Sequence, residues 1–583
     1  MKSEKPVIER NIRIRTLFYG LSFSSLFLII GFKLVCLQVF EGSRLSEVAA
    51  NQYERTFKST GKRGTIFDKN LREMAISIDV TSIAVHPAQV KDKKKTARLL
   101  SKALGKNFNT LYRSLQSEKP FVWIKRQVNP TEEGKVRKLG LEGVVFKSEY
   151  SRFYPNRSLA SQVIGFSGID GHGLEGVEFS YDDQLKGQVI RQTALTDALG
   201  RRIDTGEKKE IVIDGNNIVL TLDSTIQYIS EKALGKVIEE FGAKSGLAVV
   251  MNPLTGALLA VAHWPQFNPN AYREYDRSLW RNRVITDSYE PGSTMKVFCA
   301  AAAIDSDVCT PDSIFFCENG KYKIGPNVVH DAGSHSFGWL SLLEIIKYSS
   351  NIGAVKIEEL IGPKVLYEGL SGFGFGQKTG IDCVGETPGS LTHYRKWTRI
   401  DAGTISFGQG ISASPLQLIS AISAIANNGV MMKPYLVQAV TDPSGGLIKN
   451  TVPSPIRRVV SEKTAKELKK ILATVSEEGG TGTNAALEGY RVCGKTGTAQ
   501  KIGKDGMYAR GKYMSSFIGF VPADKPAISI LVVLDEPGKR YYGGTVAAPA
   551  FREIAHETLD YLNIPPENKP DIYTVALKDE IIH

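Results

Sequence analysis

Tyr289-Glu290-Pro291-Gly292-Ser293-Thr294-Met295-Lys296-Val297-Phe298 is the stretch from which the rest of the chain can be read. Pro291-Gly292 breaks whatever precedes it, and the alanine-rich run Thr294–Ile304 predicts a helix. Ser293 then sits at a helix N-terminus, where free backbone N–H groups and the helix dipole favour developing negative charge. Lys296 lies one turn on, and residues i and i+3 share a helix face. A serine hydroxyl is a poor nucleophile without an adjacent base, and a lysine stripped of water can be that base. The same serine also reads as a simple helix cap. Ser-x-x-Lys recurs at Ser59-Thr60-Gly61-Lys62, in a polar, basic stretch with no helix to follow. The tetrad therefore gains meaning only from its context.

Working outward, two further constellations stand downstream: Ser349-Ser350-Asn351 and Arg491-Val492-Cys493-Gly494-Lys495-Thr496-Gly497-Thr498. The second is a β-type run ending in small residues, as expected where a backbone approaches a ligand closely. Taken alone, Asn351 also fits a locally satisfied loop amide, and the threonines fit ordinary strand preference. A second Lys-Thr-Gly, at Lys378-Thr379-Gly380, lies in a glycine-rich loop without strand character and is set aside. Cys299 falls on the far side of the Ser293 helix and reads as core.

The surrounding elements suggest the frame. Asn217–Leu222 predicts a strand and Asp223 through Phe241 a long helix; Asp214-Gly215-Asn216 marks the break before them. Gly246–Met251 and Ala257–Ala262 flank a turn and read as a hairpin, as do Ser515–Val521 and Ala527–Leu534. Strands at both ends with helices between them predict a layered domain whose sheet joins its two ends. Upstream, residues 41–215 read as a mixed, charge-rich region with a strand at Ser77–His86 and a helix at Lys95–Leu104. The tail from Pro565 to His583 reads as a loosely held terminus.

Thr16 to Phe32 carries no charge, and after Lys33 the chain is again uncharged to Phe40. About 20 helical residues cross a bilayer, so Thr16–Phe40 predicts one span, with Lys33 reaching to the headgroups. Lys2, Lys5, Arg10, Arg13 and Arg15 outweigh Glu4 and Glu9 before it, which keeps the N-terminus cytoplasmic and exports the body. No small-x-small cleavage site follows, so an uncleaved anchor is expected over a signal peptide. At 583 residues the chain exceeds one compact core, and 42% apolar with 23% charged residues excludes a disordered or fibrous protein. The net charge of +12 suits nucleic acid, a membrane surface or an anionic substrate without choosing among them. No zinc-finger or RNA-binding string supports nucleic acid. The six cysteines contain no C-x-x-C, and the eight histidines show no metal-ligand spacing. Cys309 and Cys317 are close enough in sequence for a bridge in an oxidising compartment.

The ordered set Ser-x-x-Lys, Ser-x-Asn, Lys-Thr-Gly resembles the signature of penicillin-binding proteins and serine β-lactamases. Several flanking strings make the chain similar to class B penicillin-binding proteins. They are Arg281-Asn282-Arg283, Asn252–Gly256 leading to Asn268-Pro269-Asn270, Phe407-Gly408-Gln409-Gly410 and Tyr541–Pro549. Arg63–Asp68, Arg152-Phe153-Tyr154-Pro155, Gly173–Glu178 and Leu37-Gln38-Val39 resemble that family's pedestal module and its junction with the anchor. Leu71 departs from it, standing where the family usually has a glycine in the turn after Asp68.

The resemblance implies an α+β protein with a single transmembrane helix, an elongated mixed pedestal and a serine transpeptidase domain built on an antiparallel sheet flanked by helices. The expected boundaries are 1–15 cytoplasmic, 16–40 anchor, 41–215 pedestal of the dimerisation type, 216–562 transpeptidase and 563–583 tail. It further implies peptidoglycan D,D-transpeptidation through a Ser293 acyl-enzyme, with β-lactams as covalent inhibitors. Lys296 would take the Ser293 proton, Ser349 would relay a proton to the leaving amine, and Asn351 would orient Lys296 and the substrate amide. Lys495, Thr496, Gly497 and Thr498 would form the substrate-binding strand, Lys495 supplying positive potential and the two threonine hydroxyls meeting the terminal carboxylate. The backbone N–H groups of Ser293 and Thr498 would form the oxyanion hole. A lysine with hydroxyls at a strand edge is chemically suited to a carboxylate.

No metal or cofactor is implied, and no nucleic acid. The expected partners are D-Ala-D-Ala stem peptides, a membrane glycosyltransferase and other division proteins, with the catalytic body outside the cytoplasmic membrane. Overall size and short insertions favour the septal, division-associated type over the elongation type. A β-lactamase has no need of an anchor and pedestal, and a β-lactam-sensing receptor normally needs a cytoplasmic signalling region. A division scaffold with a vestigial serine site is the alternative from a different class.

Overall fold

The computed structural model describes residues 5–45, 54–195, 213–333, 335–503 and 506–567. The first four residues of the charged N-terminus and residues 568–583 of the tail lie outside them. Two units are distinguished: residues 1–61 with 187–214, and residues 62–186 with 215–583. In the first, a helix runs from Lys5 to Val35 and continues as a wider turn over Cys36–Phe40. Within its Arg10–Phe40 portion an 18-residue stretch has a mean hydropathy of 2.0 and no burial. Among the described residues it is the helix long and apolar enough to cross a membrane. The unit also holds an antiparallel ribbon of Glu54–Thr60 with Val189–Leu195, so the Ser59 tetrad begins in a strand and no helix follows it.

The second unit contains both pedestal and catalytic layers. The helix α1 (Ser224–Phe241) is capped by Asp223, whose carboxylate accepts from the N–H groups of Thr225 and Ile226. The first hairpin follows as β1 (Ser245–Met251) and β2 (Leu258–Trp264). The helices α2 (Met295–Asp305), α3 (Leu342–Tyr348), α4 (Asn351–Gly372, interrupted at Gly362) and α5 (Pro415–Ala426) form the middle. The chain closes with β3 (Cys493–Ile502), β4 (Tyr508–Val521), β5 (Ile528–Asp535) and α6 (Ala548–Tyr561). The strands order as β2-β1-β5-β4-β3, all antiparallel, so the two hairpins meet through β1 and β5 as the sequence predicts.

Period-two alternation explains the layering. Ala248, Val250, Phe517 and Val532 face α1 and α6 in one core, while Leu247, Val249, Ile518 and Val533 face the helical layer in the other. Both faces are buried, which is why these strands read as continuous apolar runs. One difference concerns the Lys-Thr-Gly run, which sits within β3 rather than at the end of a strand. A second concerns Asn217–Leu220, which stays out of the catalytic sheet. It pairs parallel to Ile66–Phe67 and antiparallel to Val437–Thr441, in a seven-stranded sheet that also holds Glu73–Val85, Val122–Val128 and Val144–Phe153. The sheet thus crosses the sequence break at Gly215.

Three separated pedestal strings converge. Glu178, fully buried, accepts from Arg63 Nε at 2.6 Å and from Arg152 Nε at 2.6 Å. Arg63 also pairs with Asp182 at 2.6 Å. Burial alone would raise the Glu178 carboxyl; Arg152 and Arg63 outweigh it and hold it below the usual range. Asn270 fixes the catalytic layer to this network, accepting from Tyr154 N at 3.0 Å and donating to Tyr154 O at 2.9 Å. Asp68 accepts from the N–H of Asn70 and Arg72 and from the Ser224 hydroxyl, so one carboxylate holds a pedestal turn and the start of α1.

In that turn Leu71 has φ 60 and is 66% exposed. The left-handed region costs a non-glycine residue about 1–2 kcal/mol, and glycine's extra flexibility costs about 0.5–1 kcal/mol. Leu71→Gly is therefore expected to stabilise the protein by about 0.5–1 kcal/mol. Urea denaturation tests this, and a loss of stability would mean that the leucine side chain contributes through packing.

The cysteines described are free thiols, so Cys309 and Cys317 form no bridge here. The start of the tail is better held than its composition suggests. Glu567 N donates to Gly489 O, and its carboxylate accepts from the N–H groups of Arg491 and Asp524.

Candidate active site

Ser293 sits in a tight turn, Gly292–Thr294, that leads directly into α2, and its side chain makes no cap bond. The simple cap reading is thereby set aside. Its hydroxyl instead lies 3.1 Å from Lys296 Nζ. Lys296 also donates to Asn351 Oδ1 at 2.8 Å, to Ser349 Oγ at 3.2 Å and to Ser349 O. The junction of α3 and α4 delivers these partners. The chain leaves α3 through Ser349 in the left-handed conformation, φ 64, and enters α4 with Ser350 as its cap. That reversal turns Ser349 and Asn351 back onto the lysine.

The opposite wall is β3, one of the two edge strands of the sheet. Lys495 Nζ reaches Ser349 Oγ at 2.9 Å, so Ser349 lies between the two lysines. Gly497 is required by close approach: a Cβ there would stand 2.3 Å from Ser516 Oγ and 2.9 Å from Thr294 Cγ2. Gly408, in the Phe407–Gly410 string, has φ 88 and a Cβ there would meet Gly292 O at 2.2 Å. These strings are thus the packing surfaces that set the nucleophile turn against the strand.

The residues predicted for the site come together, with one distinction between the threonines. Thr498 is half-exposed and accepts from Gly543 N at 3.1 Å. Thr496 is buried, and its hydroxyl is engaged with Lys495 and Thr481. Lys378-Thr379-Gly380 is a loop closed on Glu386.

Burial is the dominant electrostatic effect. It pushes the Lys296 amine down to about 7, with Asp331 opposing. It pushes Lys495 well below its ordinary range, and the charge of Lys296 adds to this. Two residues not predicted for the site also take part. Glu290 accepts from Gly410 N at 2.9 Å and from the Tyr508 hydroxyl at 3.0 Å, tying the β3–β4 hairpin to the nucleophile turn. Asp331 accepts from Ser350 Oγ at 2.9 Å and from Asn351 N at 2.6 Å. Asp331 stands at no fixed spacing from a motif; Glu290 lies three residues before Ser293, inside the opening string, but nothing local marks Gly410 and Tyr508 as its partners. Among the described residues no cluster of metal-ligating side chains occurs.

A turn-borne serine beside a desolvated lysine, facing a lysine-bearing edge strand, defines a serine acyl-transfer site. Residues 246–556 match the penicillin binding protein transpeptidase domain, and residues 58–220 match the penicillin-binding protein dimerisation domain. The probable peptidoglycan D,D-transpeptidase PenA of Neisseria meningitidis is 36% identical over 91% of this chain and 90% of its own length. Stage V sporulation protein D of Bacillus subtilis is 35% identical over 95% of this chain and 87% of its own. The crystal structure of penicillin binding protein 3 from Mycobacterium tuberculosis, complexed with aztreonam, superposes with a TM-score of 0.69. It is 28% identical and covers 88% of this chain and 98% of that one. The chain belongs to the penicillin-binding proteins, as a class B member with a dimerisation domain ahead of its transpeptidase domain.

Proposed function

We propose that the chain is a peptidoglycan D,D-transpeptidase of the septal type; the convergence of Lys296 on Ser293, Ser349 and Asn351 carries the transpeptidase reading, and overall size with short insertions favours the septal type. Ser293 Oγ attacks the penultimate D-Ala carbonyl of a stem peptide while Lys296 Nζ takes its proton. The oxyanion forms against the N–H groups of Ser293 and Thr498; losing one such donor costs about 10²–10³ in rate. The proton passes from Lys296 through the Ser349 hydroxyl to the amine of the departing D-Ala as the C–N bond breaks. An amine of a neighbouring stem then attacks the ester, returns a proton by the same route and restores the Ser293 hydroxyl. Asn351 keeps the lysine aimed. The substrate carboxylate, arriving beside Lys495 and Thr498, supplies the counter-charge that favours the Lys495 ammonium against burial, with Thr496 and Gly497 shaping the strand.

The boundaries that fit this role are an anchor at 16–40, a pedestal at 41–215, a transpeptidase region at 216–562 and a tail at 563–583. The basic N-terminus favours a cytoplasmic start and an exported body. A membrane glycosyltransferase and other division proteins are the proposed partners of anchor and pedestal. Depletion in the source cell separates the two occasions for cross-linking: filaments accord with the septal type, rounded cells with the elongation type.

The direct test is intact-protein mass after incubation with benzylpenicillin. A stable one-to-one adduct on Ser293 is expected. An unmodified protein with intact antibiotic would favour the scaffold, and consumed antibiotic a β-lactamase. The neutral form of Lys296 is the base, so the acylation rate is expected to rise with pH through about 7 and then level. A rate independent of pH across that window would remove Lys296 from the role.

A further inference from the structure

We propose that Asp331 is a positioning residue for acylation: one oxygen fixes the Ser349–Asn351 turn onto α4, and its charge sets the proton balance of the Lys296 amine that the turn surrounds. The inference rests on the transpeptidase reading above.

Asp331 follows the short strand Asn327–His330 and is 6% exposed. Its Oδ1 accepts three hydrogen bonds, from Ser350 Oγ at 2.9 Å, Asn351 N at 2.6 Å and Ile352 N at 3.1 Å. Its Oδ2 is buried with no hydrogen-bond partner among the described residues. Asn351 is held twice by this segment, its N–H donating to Asp331 and its Nδ2 donating to His330 O at 2.8 Å, while its Oδ1 accepts from Lys296. A movement of Asp331 is therefore a movement of the lysine's acceptor.

A hydrogen-bonded turn does not by itself require a charge here. Ser350 already caps α4 through Gly353 N at 2.9 Å, and an asparagine at 331 offers the same acceptor oxygen. Burying a carboxylate with one oxygen unbonded is costly unless its charge is used. The use lies in the lysine pair. Lys296 and Lys495 are 1% and 0% exposed, and both contact Ser349 Oγ. Two such amines drive each other toward neutrality.

Around Lys296 the facing groups are Ser293 on its own helix, Ser349 and Asn351 from the α3–α4 turn, and Lys495 from β3. Asp331 supplies the negative charge that opposes burial there. Glu358, further along α4, faces Cys299 instead. Without Asp331 the Lys296 amine is a weaker base that binds its proton too poorly to carry it from Ser293 to the leaving group.

The test is the rate of acylation by a fluorescent penicillin as a function of pH, in the full chain. In Asp331→Asn the acid limb is expected to move down by about one pH unit, because the ammonium has lost its counter-charge. Ser350→Ala loosens the turn but keeps the charge, so it should slow acylation without moving the limb. Asp331→Glu keeps the charge and should likewise leave the limb in place. A limb unmoved in Asp331→Asn, with the rate lowered evenly at all pH values, would overturn the proposal. So would a limb displaced in Asp331→Glu, the variant that decides the matter if thermal melting shows Asp331→Asn unfolded. Absence of label in the unaltered chain would overturn the transpeptidase reading itself.

Discussion

Ser293→Ala will abolish covalent penicillin labelling while the protein stays folded. The ester forms through Oγ, and alanine has no atom to replace it. A serine nucleophile removed from such a constellation typically lowers the rate to below about 10⁻⁴ of its starting value. Folding should survive because the Ser293 side chain makes one hydrogen bond, to Lys296, and caps no helix. The main chain of the turn is held independently, by Gly292 N donating to Gly408 O and by the Thr294 hydroxyl donating to Pro291 O. Intact mass and a thermal melt of the same sample separate chemistry from stability. Ser59→Ala is the paired control and should label normally. Label retained in Ser293→Ala, or lost in Ser59→Ala, would place the nucleophile elsewhere.

Glu178→Ala is expected to destabilise the pedestal by about 3–5 kcal/mol, the range for removing one partner of a buried ion cluster. The Arg63 and Arg152 side chains are 6% and 5% exposed, so neither guanidinium can turn to water when the carboxylate is gone. Replacing the whole cluster by apolar groups could be neutral; leaving Arg152 without its carboxylate and Arg63 with Asp182 alone is what costs. The exposed pair Lys91–Glu142, with side chains 84% and 62% exposed, is the contrast: Lys91→Ala should leave stability unchanged within error. Urea unfolding of both variants measures the difference. A loss under about 1 kcal/mol in Glu178→Ala would mean that the cluster relaxes around other acceptors such as Asp182.

The cluster also shows why a pedestal can be placed by sequence and yet not be explained by it. Arg63, Arg152 and Glu178 each belong to a recognisable string, but their mutual contact is absent from any local pattern. Asn268-Pro269-Asn270 is similar: the sequence marks the string, and only the fold reveals that Asn270 clasps the backbone of Tyr154.

The sequence by itself determined the elements whose causes are local. The uncharged run after the basic N-terminus, the two hairpins, the Asp223-capped helix and the alanine-rich helix after Ser293 follow from hydrophobic period, turn residues and capping. The same local reading separated Ser293 from Ser59, and Lys495 from Lys378, because one copy of each motif lacked a helix or strand to carry it. Tertiary structure decided the rest. It moved Asn217–Leu220 out of the catalytic sheet, since strand partners come from anywhere in the chain and a short apolar strand does not name its own. It buried the Thr496 hydroxyl against Lys495 and Thr481 and left Thr498, two residues on along the same face of β3, partly exposed beside Gly543, a difference made by the neighbours the fold supplies along that face. It set Asp331 against the Ser349–Asn351 turn and closed Glu290 onto Gly410 and Tyr508, because a charge acts through space on whatever the fold sets beside it and leaves no spacing in the sequence to mark its partners.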